Sequence, residues 1–202
     1  MSTLLERTGT FVYSGCVGWD IHDTLGSICV WLQPESYLEV GVDGGMSLQT
    51  VLKYAPGIKR VVLCDIWNPA YCHHRLTGHR HVSRLLDKLG YRGSVEFLDG
   101  SSHLLLPAVP KGVTFDLITV DGDHTAAGAR QDLTNCWAHL NVGGVLVFDD
   151  VNHADYPWLP AVAEEFAREH ESDAFQLCEL TGRTCNTTAF RKTPNADHLW
   201  KP

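Results

Sequence analysis

Four short apolar runs in this chain each end on acidic residues, and this repetition constrains the fold more than any other feature. The runs are Tyr37–Glu39, Val61–Asp65, Leu117–Asp121 and Val145–Asp150. In a parallel sheet with right-handed crossovers, the carboxyl ends of the strands lie at one edge of the sheet. The carboxylates are therefore expected to meet at that edge. Because like charges repel, such a group is typical of sites that hold a cation, bind a polar ligand or carry out acid–base chemistry.

Strand and helix patterns alternate along the chain after Pro34. The predicted strands are Tyr37–Val42, Val61–Ile66, Val95–Leu98, Leu117–Val120 and Val145–Phe148, the last entered by a turn at Gly143 and Gly144, and the predicted helices are 47–54, 78–89, 125–140 and 160–170. Two more strands, Phe175–Leu180 and Thr187–Arg191, are predicted to form an antiparallel hairpin around Gly182. The pattern is typical of an α/β protein whose doubly wound, mostly parallel sheet carries one antiparallel strand.

Length and composition fit one ordinary globular domain. The chain has 202 residues, of which 44% are hydrophobic and 20% are charged. We expect a single domain over residues 1–202, with a helical or irregular N-terminal cap over 1–34 and a core over 36–192. The net charge of −8 comes without a basic patch, so neither nucleic acid nor a membrane surface is an expected partner.

The cysteines and the N-terminal residues favour a cytoplasmic protein. The seven cysteines form no CxxC pair, and we interpret them as reduced, buried thiols: Cys16, Cys29, Cys64, Cys72, Cys136, Cys178 and Cys185. The first residues lack the basic and apolar regions of a secretory signal. A group of zinc-type side chains (Cys72, His73, His74, His79 and His81) lacks a second pair at structural spacing, so we interpret it as a polar loop and helix.

A glycine-rich segment follows the first predicted strand. It runs from Glu39 through Gly41 and Gly45 to Ser47, and glycines let a backbone turn sharply and approach a ligand closely. Ser47 is predicted to be the N-cap of the next helix. The spacing is not that of the dinucleotide fingerprint, because Asp43 stands where a glycine is needed. A tight strand–helix connection without a ligand is the alternative.

The second predicted strand ends at Asp65, followed by Ile66 and Trp67. A carboxylate there can accept hydrogen bonds from both ribose hydroxyls, and the two apolar side chains can form a wall for a base. The alternative is an aspartate that caps a helix or lies on the surface. The preceding glycines favour nucleoside binding.

These motifs, in this order, resemble the class I S-adenosylmethionine-dependent methyltransferases. The order is Glu39-x-Gly41-x-x-x-Gly45, Asp65, Leu98–Ser102, Asp121-Gly-Asp-His124 and Gly143–Asp150. Within that superfamily the chain is most similar to the small O-methyltransferases with the phrase Asp-Gly-Asp-His (the methyltransferase family 24 type), which are related to catechol and sugar O-methyltransferases. The resemblance covers roughly residues 36–170 and implies a Rossmann-like, seven-stranded sheet.

The resemblance also implies a division of the site. The cofactor residues that it implies are Glu39, Gly41, Val42, Gly45, Ser47, Asp65, Ile66, Asp99, Gly100, Ser101, Ser102 and Asp121. The segment from Glu39 to Ser47 would surround the methionine part of S-adenosylmethionine. Asp65 would hold the ribose, and the segment Asp99–Ser102 would border the adenine.

The same resemblance implies a divalent cation, Mg²⁺ or another, held by Asp121, Asp149 and Asp150. Three oxygen donors with waters and substrate hydroxyls suit octahedral coordination. A bound cation lowers the pKa of a hydroxyl and fixes its oxygen. The alternative is that Asp121 or Asp149 binds the cofactor or caps a helix with no metal present.

Two histidines are candidates for the general base. His124 lies three residues after Asp121 and matches the position of the base in the catechol enzyme, while His153 follows the acidic pair. His124 could instead orient an aspartate or cap a helix. Asp123 is expected to orient one of the two histidines.

We therefore predict a methyltransferase that acts on a hydroxyl oxygen of a small molecule. The sequence leaves the oligomeric state open, and an oligomer is compatible with it. Two other readings stay open. One is a non-catalytic protein of the same fold that binds S-adenosylmethionine or another protein, since a fold does not guarantee chemistry. The other is a metal-dependent hydrolase that uses the acidic edge, which the glycine-rich segment and Asp65 disfavour.

Overall fold

The structure, a computed structural model, describes residues 5–7, 10–12, 20–68, 70, 77–177 and 186–194. The strands are β1 (Leu5–Arg7), β2 (Thr10–Val12), β3 (Ser36–Val40), β4 (Arg60–Asp65), β5 (Ser94–Asp99), β6 (Phe115–Val120), β7 (Leu140–Phe148), β8 (Ala174–Gln176) and β9 (Thr188–Lys192). The helices are α1 (Ile21–Leu32), α2 (Met46–Tyr54), α3 (His79–Lys88), α4 (Ser102–Leu105), α5 (Ala126–Ala138) and α6 (Leu159–Glu169), with a 3-10 turn at Leu106–Ala108.

Seven of the strands form one sheet in the order β5-β4-β3-β6-β7-β9-β8. Strands β3 to β7 pair in parallel, and β9 runs antiparallel to both β7 and β8. The strand order reverses between β3 and β6, where open α/β sheets bind their ligands. The predicted Rossmann-like, doubly wound sheet with one antiparallel strand is confirmed.

The central strands are buried on both faces of the sheet. On β3, Tyr37 faces one apolar cluster and Leu38 faces the other, because successive side chains of a strand point to opposite faces. Helices α1, α2 and α3 cover the first cluster, and α5 and α6 cover the second. Burial on both faces explains why these strands are apolar throughout rather than alternating.

One local prediction was wrong and another was incomplete. Gly143 and Gly144 lie inside β7 rather than in a turn before it: Gly143 has φ +89°, and the register with β6 shifts between Phe115 and Leu117. The cap over residues 1–34 is helical in α1, as predicted, but the prediction did not include the short antiparallel pair β1–β2 that precedes it. The predicted turn at Gly182 lies outside the described residues.

Three of the cysteines, Cys29, Cys64 and Cys136, are buried free thiols, as predicted. Burial raises the pKa of the Cys29 and Cys64 thiols to about 12, so these side chains are apolar packing groups. The other four cysteines lie outside the described residues. Among the helices described here, none has the length and hydropathy to span a membrane.

Candidate active site

Backbone hydrogen bonds continue past the carboxyl ends of the strands and hold the following loops side by side. Gly41 donates to the carbonyl of Cys64 at 3.0 Å, and Asp121 donates to Val40 at 2.8 Å. On the two sides of this pair, Gly100 donates to Asp65 at 2.9 Å and Asp149 donates to Val120 at 3.0 Å. The acidic strand ends therefore form one row. We call the ends of β3, β4 and β5 the cofactor side, and the ends of β6 and β7 the reacting side.

The glycine-rich loop after β3 lies in close contact with the backbone at the end of β6. Gly41 has φ +82°, and a Cβ built on it would lie 1.9 Å from the backbone oxygen of Asp121. Gly45 has φ +76° and is itself the N-cap of α2, which begins at Met46. The predicted N-cap role of Ser47 is therefore wrong: Ser47 lies buried within the first turn. The left-handed backbone at Gly45 allows the helix to start two residues earlier than Ser47 would.

Glu39 is buried beneath this loop, with 1% of its surface exposed. Burial raises the pKa of the Glu39 carboxyl well above its ordinary value, and the charges of Asp121 and Asp65 raise it further against a hydrogen bond from Tyr37. The Oε2 atom has no hydrogen-bond partner among the described residues. A buried, unpaired carboxylate oxygen is costly, and a cation placed beside it would offset that cost.

Asp65 holds the loop from the neighbouring strand. Its Oδ2 accepts hydrogen bonds from the backbone N–H groups of Val42 (2.7 Å) and Asp43 (2.9 Å), and its Oδ1 accepts one from Trp67 (2.6 Å). The carboxylate has four acceptor positions, so one remains for a further donor. Asp65 thus has a part in shaping the glycine-rich loop that the sequence did not predict. The ribose role stays a prediction.

The far end of the cofactor side is organised by Asp99. Its two carboxylate oxygens contact the indole N–H of Trp67 at 2.7 Å and Nδ1 of His79 at 3.1 Å. The His79 ring stacks on Phe97 with centroids 3.6 Å apart. His79 therefore has a carboxylate and an aromatic ring as partners, while Cys72, His73 and His74 lie outside the described residues. Ile66, beside this group, is 52% exposed and available as an apolar wall.

On the reacting side, one imidazole lies between two carboxylates. The Nε2 atom of His124 is 3.2 Å from Oδ1 of Asp121 and 3.4 Å from Oδ2 of Asp150. Burial acts to lower the pKa of His124, but the hydrogen bond and charge of Asp121, together with the charge of Asp150, outweigh it and the pKa lies above its ordinary value. One donor atom from each of the three side chains lies within 4.8 Å of the others. This arrangement can hold a cation.

Asp150 enters the group through an unusual backbone conformation, with φ +57°. Its Oδ1 accepts a hydrogen bond from the amide of Asn186 at 2.7 Å, which leaves Oδ2 for His124. A non-glycine residue at positive φ carries strain, and such residues cluster at functional sites. The strain here aims the second acidic residue of the pair towards Asp121.

Asp149, the third predicted metal ligand, lies deeper than the other two. It is 7% exposed, and its Oδ1 accepts a hydrogen bond from the hydroxyl of Thr187 at 2.6 Å. Burial first, and then the charge of Asp121, raise the pKa of the Asp149 carboxyl to about 7. The cluster of possible donors contains His124 and does not contain Asp149. The donor set from the sequence therefore stays a prediction.

Aromatic residues from the segment after β7 cover His124. The ring of Tyr156 stacks on that of His124 with centroids 4.4 Å apart and 9° between the planes, and the Trp158 indole N–H donates to the His124 carbonyl at 2.7 Å. His153 lies beyond Tyr156, at 5.1 Å, and its own ring is close to Asp155. The His153 backbone N–H donates to the Asp150 carbonyl at 3.1 Å, but of the two candidate bases only His124 brings its ring to the carboxylates of the donor cluster among the described residues.

Asp123 orients neither His124 nor His153 in the described contacts, so that expectation was wrong. Its Oδ1 accepts the backbone N–H of Thr125 at 2.8 Å at the start of α5. The sequence analysis also missed Asp132, whose carboxylate is completely buried below the same turn. Asp132 shares a helical face with Ala129 and Cys136, and that spacing was a signal available in the sequence.

The chain matches a family model and a curated protein. A family model described as a methyltransferase domain matches residues 38–151, which is more than half of the chain. A curated relative, an uncharacterised protein of Acanthamoeba polyphaga mimivirus, is 36% identical over 58 residues. That match covers 29% of this chain and 24% of the relative, so it spans about a quarter of that protein's length.

Solved structures share the fold. The O-methyltransferase TomG of Streptomyces achromogenes, involved in tomaymycin synthesis and solved with S-adenosylmethionine, has a TM-score of 0.63 and 21% identity, over 86% of this chain and 79% of that one. The methyltransferase PaMTH1 of Podospora anserina, solved with S-adenosylhomocysteine, has a TM-score of 0.62 and 16% identity, over 86% and 78% of the two chains. An O-methyltransferase of Bacillus cereus with S-adenosylhomocysteine has a TM-score of 0.58 and 17% identity, over 85% and 80%.

Proposed function

Since this chain belongs to the methyltransferase domain family whose model matches residues 38–151, we propose that it transfers the methyl group of S-adenosylmethionine to a hydroxyl oxygen of a small molecule, with help from a divalent cation. One observation carries the proposal: a buried unpaired carboxylate oxygen and an imidazole between two carboxylates lie along the same row of strand ends. The first group suits a charged cofactor, and the second suits the activation of a hydroxyl.

The residues of the cofactor side fit S-adenosylmethionine. The unpartnered Oε2 of Glu39 suits the ammonium group of the methionine part, because the pair would neutralise a buried charge. The remaining acceptor position of Asp65 suits one ribose hydroxyl. When bound, the cofactor supplies a sulfonium methyl carbon that accepts the electron pair of the acceptor oxygen, and S-adenosylhomocysteine leaves as the product.

The residues of the reacting side fit a divalent cation. Two carboxylates and one imidazole with donor atoms within 4.8 Å are a common donor set for such ions, and the oxygens of Asp121 and Asp150 suit Mg²⁺ or Mn²⁺. A bound cation would supply positive charge that lowers the pKa of the acceptor hydroxyl. Asp149 would support Asp121 and Asp150 from below or, if the donor set is the one predicted from the sequence, would bind the ion directly.

We assign to His124 the role of the base that accepts the hydroxyl proton of the methyl acceptor. Its Nε2 faces both carboxylates, and Tyr156 holds the ring in one plane. To act as the base, His124 must be neutral, with the lone pair of Nε2 facing the acceptor hydroxyl in place of the two carboxylates. The hydroxyl proton then passes to Nε2 as the oxygen–carbon bond forms and the carbon–sulfur bond of the methyl donor breaks. The alternative assignment of His124, as a ligand of the ion, leaves the proton to solvent.

The acceptor is expected to lie against the segment after β7. Tyr156 and Trp158 are within reach of His124, and Trp158 is 41% exposed, so it can cover an incoming molecule. Aromatic faces beside a hydroxyl-activating group suit phenols and the apolar faces of sugars. The proposed acceptor class is therefore a small hydroxyl compound of either kind.

Titration calorimetry with S-adenosylhomocysteine tests the cofactor part of the proposal. Binding in the micromolar range is expected, and a protein that binds neither S-adenosylhomocysteine nor S-adenosylmethionine at millimolar concentration would overturn the proposed function. Methyl transfer from labelled S-adenosylmethionine to a panel of phenols and sugars, with and without chelator, tests the rest. Full activity in excess chelator would contradict the role of the cation and leave the methyl transfer intact.

A further inference from the structure

One buried carboxylate joins the two sides of the site from below. Asp132 lies on α5 with 0% of its surface exposed. Its Oδ1 accepts a hydrogen bond from the hydroxyl of Ser102 at 2.6 Å, and its Oδ2 accepts one from the backbone N–H of Asp123 at 3.2 Å. Ser102 follows β5 on the cofactor side, and Asp123 follows β6 on the reacting side. In the sheet these strands are separated by β4 and β3, so the link passes outside the strand row.

The turn after β6 is shaped around this carboxylate. A Cβ built on Gly122 would lie 2.8 Å from Oδ2 of Asp132, which explains the glycine of the Asp-Gly-Asp-His sequence. His103, next to Ser102, brings its Nε2 to 3.3 Å from Oδ1 of Asp132 and 4.0 Å from Oδ2 of Asp123. The two loops therefore contact Asp132 through a hydroxyl, a backbone amide and an imidazole.

A buried carboxylate is a costly way to make a purely structural link. Burial raises the pKa of Asp132, and the hydrogen bond from Ser102 opposes that effect. The two hydrogen bonds from Ser102 and from the backbone of Asp123 hold an anion in one position more tightly than a neutral side chain, because charge-assisted hydrogen bonds are shorter and stronger. Groups of this kind are concentrated at functional sites.

We propose that Asp132 is a positioning residue for methyl transfer, which fixes the turn Asp121–His124 relative to the loop Asp99–Ser102. The proposal rests on the proposed function and deepens it. Through Ser102 the carboxylate sets the loop that borders the adenine, and through Asp123 it sets the turn that carries His124. It thereby fixes the distance between the bound cofactor and the group that takes the acceptor proton, and small errors in that distance lower the rate of the chemical step.

The chain offers a matched control in Asp116, which lies near the amino end of the central strand β6 and so at the end of the sheet opposite to the site. Its Oδ2 accepts hydrogen bonds from the backbone N–H groups of Glu35 and Ser36 and from the hydroxyl of Ser36, and its Oδ1 accepts one from the amide of Asn141. Asp116 thus links chain segments as Asp132 does, far from the carboxyl ends of the strands. A change there reports the structural part of such a link alone.

The test compares Asp132→Asn with Asp116→Asn in the full chain. The asparagine side chain keeps one acceptor oxygen, and its NH₂ group replaces the other. That NH₂ group must then face either the Ser102 hydroxyl or the Asp123 N–H, both of which donate to the carboxylate in the wild type. We expect kcat of Asp132→Asn to fall at least tenfold with less than a threefold change in the acceptor KM, while Asp116→Asn keeps kcat within twofold. Hydrogen exchange should quicken at the amides of 100–103 and 121–125 in Asp132→Asn only. A variant with the kcat and exchange pattern of Asp116→Asn would overturn the proposal.

Ser102→Ala removes one arm of the link and serves if Asp132→Asn does not fold. It should lower kcat by a smaller factor and quicken exchange at 121–125, where Ser102 itself makes no contact among the described hydrogen bonds. Where Asp132→Asn does fold, the loss from Ser102→Ala should disappear in the double variant, since both changes break the same link. Additive losses, or exchange that quickens only at 100–103, would overturn the proposal. Wild-type protein that binds no S-adenosylhomocysteine would instead overturn the proposed function.

Discussion

The α-carbon of Gly41 lies directly against the backbone carbonyl of Asp121, so close that a Cβ at position 41 would be 1.9 Å from that oxygen. This contact joins the loop after β3 to the end of β6, and it is where the cofactor side and the reacting side of the row meet.

Gly41→Ala should destabilise the protein and abolish cofactor binding. The methyl group meets backbone rather than a flexible side chain, so the loop or the end of β6 must shift. Gly143→Ala is the matched control, since Gly143 also has positive φ but its Cβ would meet nothing within 4 Å. The control should lose only the left-handed backbone cost of about 1–2 kcal/mol. Equal losses of Tm and equal S-adenosylhomocysteine affinity in the two variants would show that the contact with Asp121 has no consequence.

Glu39→Gln should stabilise the free protein and weaken cofactor binding. Because the pKa of Glu39 is raised in the folded state, its charged form opposes folding, and this cost appears as the pH rises above the unfolded pKa of about 4.3. The Tm advantage of the variant should therefore grow from pH 4 to pH 7. Calorimetry at pH 7 should show at least about tenfold weaker S-adenosylmethionine binding, as expected for loss of a charged partner. A Tm difference that does not change with pH would contradict the burial of a titrating carboxyl.

Asp65→Asn separates the two roles of Asp65. The amide can accept from Trp67 or from the Val42 and Asp43 pair but not from both, so the glycine-rich loop should loosen. We expect faster hydrogen exchange at the amides of residues 42 and 43, together with weaker binding of S-adenosylhomocysteine. If Asp65 acts on the ribose alone, affinity falls while exchange at those two amides stays at the wild-type rate.

Mn²⁺ titration of His124→Gln and Asp149→Asn distinguishes the two donor sets. If the ion is bound by Asp121, His124 and Asp150, His124→Gln should weaken Mn²⁺ binding more than Asp149→Asn does. Loss of a group that supports a metal ligand typically lowers metal affinity about 10–100-fold, and loss of a ligand itself should lower it at least as much. Asp150→Ala should abolish binding in either case and leave the S-adenosylhomocysteine affinity largely intact. Stronger impairment in Asp149→Asn would support the donor set predicted from the sequence.

Asp116→Asn should destabilise the protein at neutral pH and do so less in acid. Burial acts to raise the pKa of Asp116, but hydrogen bonds from Asn141 and Ser36 and the backbone N–H of Glu35 outweigh it, and the pKa lies below its ordinary value. A lowered pKa in the folded state gives stability that is present above the unfolded pKa of about 3.9 and is lost as the pH falls. The Tm gap between wild type and variant, measured from pH 7 to pH 3, should therefore narrow. A constant gap would show that the charge of Asp116 is not involved.

The sequence was sufficient to predict the sheet because its central strands are buried on both faces. Runs such as Val61–Asp65 and Leu117–Asp121 have few other ways to bury their side chains, and the chirality of crossovers then places their acidic ends together. The α/β fold and the convergence of the carboxylates follow from these two rules, while the antiparallel strand follows from the hairpin pattern of the last two strands. Local conformations at glycine were harder, as Gly45 and Gly143 demonstrate, since glycine serves equally in a turn, a cap or a bulge.

Side-chain partners distant in the chain could not be predicted. The pairing of His79 with Asp99, the stacking of Tyr156 on His124 and the burial of Asp132 each join segments that only the folded protein brings together. Asp132 was overlooked because a charged residue in an amphipathic helix is normally on its exposed face. Its position between Ala129 and Cys136 was visible, but its partner Ser102 was not.

The backbone hydrogen bonds at the strand ends also fix the distances between the acidic side chains of the site. From Asp65 at the end of β4 to Asp149, directly after β7, there are three strand steps, or about 14 Å at the usual spacing. That span is set by the sheet and does not depend on the loops. Under the proposed function, the parts of the segment after β7 that do not contact His124 can therefore change, and with them the choice of acceptor, while the place of the methyl donor stays the same. Tyr156 and Trp158, which contact His124, are the exceptions. Variants selected for new acceptors should accumulate their substitutions in this segment rather than in the glycine-rich loop.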